Sequence, residues 1–304
     1  QLMNYLSEGY GCIIDMEVGI PEDGCVVGTG PYVATEVVTD DHVNLVKNVN
    51  YWDGEVHIDE ITVRTISDGD TLALALQSGE INAAYGMAYA SYPIFENDNY
   101  TFSSIQTSRC FWGMVNLHKE NPGYAIMSDP AVRQAIAMGI NKQGFVDVLL
   151  NGYGYTATGA FPDSFDFGQG INTVSYNPEQ AKAVLEKAGW VDTDGDGIRE
   201  KDGVKASTTF LYSAGDDVRQ TIAMAVSNQI LENLGIEMIV EGVSWDELPA
   251  RMYSEPLVLA WGSSNPKTSY MLYHSSNAGK DDWYNPENFS NKTVDGYLDA
   301  DLSA

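Results

Sequence analysis

The sequence predicts an α/β protein built in two parts. Strand signals and a hairpin dominate the first hundred residues, and strand and helix signals alternate from about residue 178. Helix start and stop residues punctuate that alternation. The change of pattern near residues 105–110 predicts a boundary, with a mixed β-rich part over 1–107 and an α/β part over 108–304.

Residues 1–30 are irregular and glycine-rich. Tyr32 to Val38 and Val43 to Val46 flank the turn cluster Thr39-Asp40-Asp41, a hairpin pattern. Residues 61–66 alternate as a third strand. Residues 67–70 can cap a short helix over 71–77, with Gly79 as its stop. Residues 108–117 are apolar and aromatic, with Phe111, Trp112, Met114 and Val115. Ser128-Asp129-Pro130 then opens a helix with Val132, Ile136 and Ile140 on one face. Asn141 caps the next, which ends near Asn151-Gly152.

Asn177-Pro178 starts a helix with the stripe Ala181, Val184, Leu185 and Ala188, stopped by Gly189. Residues 206–213 read as a strand, and Asp216-Asp217 opens a long helix that Gly235 stops. Residues 236–243 read as a strand, 245–252 as a helix, 257–261 as a buried strand and 294–301 as a last helix.

Composition bounds the function. In 304 residues, 43 are acidic and 16 basic, a net charge of −27, which repels a phosphate backbone and an anionic membrane surface alike. Nucleic acid is therefore excluded as a partner. At 44% hydrophobic residues the chain can build a core, and no apolar run reaches the length of a membrane span. Gln1-Leu2-Met3-Asn4 lacks the basic and apolar pattern of a signal peptide. Of the cysteines Cys12, Cys25 and Cys110, Cys12 and Cys25 could bridge, or all three could serve as small buried hydrophobes.

Enzyme chemistry finds no anchor. GxSxG and HExxH are both absent, and only four histidines occur. Gly28-Thr29-Gly30-Pro31-Tyr32-Val33 begins like a dinucleotide fingerprint, but Val33 stands where the third glycine belongs. A strand pattern follows it, so a tight turn is expected. The loop Asp192-Thr193-Asp194-Gly195-Asp196-Gly197 spaces carboxylates two apart, as a hard cation requires. Gly203 stands at the twelfth position and Asp202 one place early, so Asp192, Asp194, Asp196 and Asp202 are candidate calcium ligands, with a solvated polar loop as the other reading. Trp261 closes a buried strand ahead of Tyr270, Tyr273, His274 and Asn277, the aromatic-plus-polar mixture of a ligand cleft.

In this order the motifs resemble the family 5 extracellular solute-binding proteins of ABC importers, the peptide and nickel class. The pieces are Gly28-Thr29-Gly30-Pro31-Tyr32, Tyr51-Trp52, Leu76-Gln77-Ser78-Gly79-Glu80-Ile81, Asp129-Pro130-Ala131-Val132-Arg133-Gln134-Ala135-Ile136, Tyr176-Asn177-Pro178-Glu179-Gln180-Ala181-Lys182 and Asp194 to Gly203. The resemblance implies type II (cluster C) periplasmic-binding-protein-like lobes, in part only. It also implies that members extend further at both ends, with the signal sequence outside this chain, and that the family's small extra domain is missing. A monomer outside the cytoplasm, on the cell surface or in the periplasm, would close two lobes on an oligopeptide and pass it to the permease subunits. On that resemblance Trp112 and Trp261 line the cleft, and Ser264 stands where peptide binders place an aspartate for the ligand's ammonium. Asn277 contacts ligand, Arg251 meets a carboxylate, and His274 could serve a nickel chelate, with Ni²⁺ as cargo. The rival expectations are a hydrolase and a calcium-binding surface module.

Overall fold

A computed structural model describes residues 12–21, 26–115, 117, 124–159, 161–163, 168, 174–262, 265–279 and 283–303. The chain divides into two compact units, Gln1–Met87 and Ala88–Ala304.

The first unit is a three-stranded antiparallel meander of β1 (Tyr32–Val38), β2 (His42–Lys47) and β3 (Glu60–Arg64), followed by α1 (Gly69–Ser78). The Gly28–Val33 segment is the expected turn into a strand. Asp68 caps α1 by accepting from the Thr71 amide at 2.7 Å, and Gly79 ends it at φ 76°. Only Ala73 and Ala75 are buried on α1, and Trp52 is 74% exposed. The first unit therefore contributes little core of its own.

The second unit is built on a four-stranded mixed sheet ordered β4-β9-β7-β8. Its strands are β4 (Arg109–Met114), β7 (Ser207–Ser213), β8 (Glu237–Val243) and β9 (Leu257–Gly262), with β5 (Glu200–Lys201) and β6 (Val204–Lys205) forming a separate small hairpin. β7 runs parallel to β8 and β9, while β4 lies antiparallel to β9 as an edge strand. Alternation along the strands divides two cores. Phe210, Val258 and Met238 face α2 (Pro130–Gly139), α3 (Pro178–Lys187) and α4 (Asp217–Leu234). Met114, Leu211, Leu257 and Leu259 face the opposite way, onto Leu248 and Met252. The chain ends with α5 (Pro266–Tyr273) and α6 (Lys292–Ser303). Among the described residues no helix is long and apolar enough to cross a membrane.

Three readings shift. The units divide at Met87, about twenty residues before the change of pattern at 105–110. The intervening segment belongs with the second unit because Tyr92 and Phe102 pack their rings edge-on against Tyr153, at 4.8 and 5.7 Å, and the Asn151 side chain donates to the Tyr89 carbonyl. The helix expected over 245–252 shrinks to Leu248–Arg251, because Pro249 supplies no amide to an upstream turn. Residues 266–273, for which the sequence pattern predicts no element, form α5. The side-chain oxygen of Asn265 accepts from the Lys267 amide at 3.1 Å, ahead of Pro266.

Candidate functional site

A cavity of about 460 Å³ opens beside the edge strand β4. Trp112, Met114, Arg133, Tyr273, Glu287 and Phe289 line it, and α6 adds Val294 and Leu298. Its size and apolar walls suit a small ligand. Glu287 is its unusual member. Burial pushes this carboxyl up to about 7, against hydrogen bonds from its own amide and from the Trp112 indole N–H. Its Oε2 is buried without a hydrogen-bond partner among the described residues. Across the cavity, burial and then the negative charge of Glu287 hold the Tyr273 phenol above its ordinary value.

The segment carrying Glu287 is fixed by Asn285, which is fully buried at a left-handed φ of 43°. The Asn285 amide donates to the Met271 carbonyl at 3.0 Å, its Nδ2 donates to the carbonyls of His274 and Phe289, and its Oδ1 accepts from the Phe289 amide. The Leu117 amide donates to the Glu287 carbonyl at 2.9 Å, tying this segment to the chain leaving β4. Glu287 therefore stands on rigid backbone.

The residues named from the sequence fall into separate groups. Trp112 pairs with Leu259 and Trp261 pairs with Cys110, so both indoles project from the same face of the sheet, two residues apart on neighbouring strands. Both are half-buried. Ser264 lies outside the described residues, as does Cys25 of the Cys12–Cys25 pairing. Arg251 is taken up by Glu241 and by Glu255, with Nε and Nη2 each 2.7 Å from a Glu255 oxygen. Those bonds raise its already high pKa and lower that of Glu241. Arg251 thus joins β8 to the Leu248–Arg251 turn.

His274 and Asn277 sit in the contact between α5 and α6. His274 is 8% exposed and stacks on Tyr270 at 4.3 Å. Its Nδ1 accepts from the Ser276 amide, and its Nε2 lies 3.5 Å from an Asp299 oxygen. Asn277 Nδ2 donates to the Tyr270 carbonyl at 2.9 Å. Ser275 anchors the same junction through two bonds to Asp295, which hold that carboxyl below its ordinary range.

The acidic loop converges differently from its spacing. Oxygens of Asp192, Asp194 and Glu200 lie within 4.8 Å of one another. Asp196 turns instead to the Lys205 ammonium, which lowers its pKa, and Asp202 occupies the β5–β6 turn at φ 51°. Asp192 accepts from the amides of Gly195 and Gly197 at 2.7 and 3.0 Å, and the Glu200 Oε1 accepts from the Thr193 amide. The donor set fits a calcium ion in part only: three carboxylates meet, while the Lys205 ammonium stands 3.6 Å from Asp194. The loop also clasps the end of α4. The Arg199 amide donates to the Gly235 carbonyl, and its side chain donates to the carbonyls of Leu234 and Trp190, each at 2.8 Å.

Glu287 and Tyr273 give no sequence signal as a pair. Glu287 is one acidic residue among 43, and its burial follows from the backbone turn at Asn285. The Asn265-Pro266 helix start, which repeats the Asn177-Pro178 signal, is the feature of the sequence that places Tyr273 on a helix.

Residues 19–283 match the family described as bacterial extracellular solute-binding proteins, family 5 Middle. The oligopeptide-binding protein AppA of Bacillus subtilis is 29% identical over 262 residues, which are 84% of this chain and 47% of that protein. The nickel-binding periplasmic protein of Escherichia coli (strain K12) is 28% identical over 231 residues, 74% of this chain and 43% of that protein. The solved structure of AppA in complex with a nonapeptide superposes with a TM-score of 0.78 at 24% identity, covering 96% of this chain and 60% of that one. The chain thus spans about half the length of the curated relatives it matches. Its fold is the type II periplasmic-binding-protein-like fold, in part. On these grounds the chain belongs to the family 5 bacterial extracellular solute-binding proteins.

Proposed function

We propose that this chain is the ligand-capturing portion of an ABC importer's solute-binding component, acting outside the cytoplasm on an oligopeptide or similar small solute. It hands that solute to permease subunits and catalyses no reaction. The observation that carries the reading is an apolar, indole-walled cavity on a family 5 fold, with one buried carboxyl to orient a polar guest. Closure of two lobes around the solute would select the bound form.

The nickel-binding relative supports a second reading, in which the solute is a nickel chelate. Imidazole suits Ni²⁺, but His274 Nδ1 is taken by the Ser276 amide and the ring offers at most its buried Nε2, so the chelator would have to supply the remaining donors. Mass spectrometry of small molecules that co-purify with the protein, with nickel measured in parallel, separates the two. Retained peptides support the first reading and stoichiometric nickel the second. Neither, followed by failure to bind peptides in equilibrium dialysis, overturns solute capture as stated.

A further inference from the structure

We infer that residues 283–289 form a pH-operated strap along the cavity beside β4, shut while Glu287 holds its proton and released when that proton is lost. A switch of this kind goes beyond solute capture: it concerns when one wall of the cavity is firm, and not what the cavity holds.

Three features of the segment point to release. The first is strain. Trp283, Asn285 and Asn288 adopt left-handed φ values of 67°, 43° and 54°. Asparagine tolerates that region, but a tryptophan is held there by its surroundings, and such conformations gather at clamps and switch regions. The second is how the shut segment is held. The Asn285 amide donates to the Met271 carbonyl, the Leu117 amide donates to the Glu287 carbonyl, and the Trp283 ring lies 5.8 Å from that of Trp245. All these ties belong to one short segment, so they can be lost together while the sheet stays folded. The third is the Oε2 of Glu287, buried without a hydrogen-bond partner among the described residues. A protonated carboxyl tolerates that burial. A carboxylate does not, and lifting the segment that carries it restores its hydration.

The groups around Glu287 set the direction of the switch. α5 brings Tyr273 and β4 brings Cys110 beside that phenol; burial raises both, so both are neutral near pH 7. β4 also brings the Trp112 N–H, which donates to the carboxyl. α6 presents Val294 and Leu298, and the chain leaving β4 presents Val115 and Leu117. α2 brings the one fixed charge among the residues lining the cavity, Arg133, whose guanidinium donates to the Met127 carbonyl. Even with that cation on the cavity wall, burial dominates and pushes Glu287 up to about 7 from an ordinary 4.5. The shut strap therefore binds the proton more tightly than an open, hydrated one. Opening gains as pH rises between those two values and gains no more above the higher.

The test is amide hydrogen exchange of the 304-residue chain at pH 5 and pH 8, with each rate divided by its intrinsic value at that pH. Two amides report on the strap: Leu117, which donates to the Glu287 carbonyl, and Phe289, which donates to the Asn285 Oδ1. Their protection should fall at least tenfold from pH 5 to pH 8. At pH 8 it should also be at least tenfold below that of the Leu211 amide, which donates to the Pro256 carbonyl inside the sheet and opens only when the unit unfolds. In Glu287→Gln, checked for fold by circular dichroism, the pH dependence at Leu117 and Phe289 should shrink to within about threefold. Three results would each overturn the inference. They are protection independent of pH in the wild type, protection at Leu117 and Phe289 equal to that at Leu211, and an undiminished fall in Glu287→Gln.

Discussion

Replacing Glu287 with glutamine should stabilise the folded protein at alkaline pH and leave it nearly unchanged in acid. The carboxyl titrates at about 7 in the fold, against an ordinary value of 4.5. Between those values the folded protein keeps a proton that the unfolded chain has released, so stability falls as pH rises through this window. At 1.36 kcal/mol per pKa unit, the full shift costs the wild type roughly 3 kcal/mol above pH 8, of which most develops between pH 5 and pH 8. Glutamine has the same shape and no charge to bury. Urea unfolding of both proteins at pH 5 and pH 8 measures the effect, because other titrating groups cancel in the difference between them. The advantage of Glu287→Gln should grow by roughly 2–3 kcal/mol across that interval. A difference constant to within about 0.5 kcal/mol, comparable to the scatter of surface substitutions, would show that Glu287 is not buried as its surroundings imply.

Three further perturbations test the scaffold. Gly235→Ala forces a left-handed φ of 65° on a residue whose new Cβ would stand 2.8 Å from the Gly197 carbonyl oxygen; it should cost about 1–3 kcal/mol and speed hydrogen exchange at the Arg199 amide. Asn285→Ala strips three side-chain hydrogen bonds from one fully buried position and should cost at least about 2 kcal/mol in urea unfolding, with loss of the Glu287–Trp112 contact seen as a shift of the Trp112 indole N–H resonance. In Asp129, burial works to raise the carboxyl, but the Lys201 ammonium, the Trp190 N–H and the Ala131 amide bring it below its ordinary 3.8. Its contribution is therefore complete above pH 3.8 and lost as pH falls through the lower folded value. Asp129→Asn should cost about 1–2 kcal/mol at pH 7 and progressively less below pH 4, followed by thermal unfolding across that range.

Most of the second unit was legible because its helices carry their own punctuation. Asp129, Asn141, Asn177 and Asp216 were each read as helix starts, and each accepts from an amide two or three residues on. Gly235 was read as a stop and adopts the left-handed conformation of one. What the sequence hides is set by distance and by environment. The pairing of β4 with β9 depends on no local residue, and neither does the attachment of residues 89–102 to Tyr153. Asp196 has the right spacing for a metal ligand, yet Lys205 nine residues away claims it, while Glu200, which has no place in the spacing argument, turns toward Asp192 and Asp194. The same limit applies to His274. Its type suggested a ligand, but α5 and α6 close over it and use it as a brace.

The pairing of β4 with β9 has a consequence for biosynthesis. Met114 meets Leu257, so 143 residues must leave the ribosome after the first strand before its neighbour exists. At about 5–20 residues per second that delay lasts roughly 7 to 30 s. Throughout it a segment bearing Cys110, Phe111, Trp112 and Met114 has no ladder to join, and an apolar strand in that condition is a template for other chains. The last strand to pair is thus among the first in the second unit to be made.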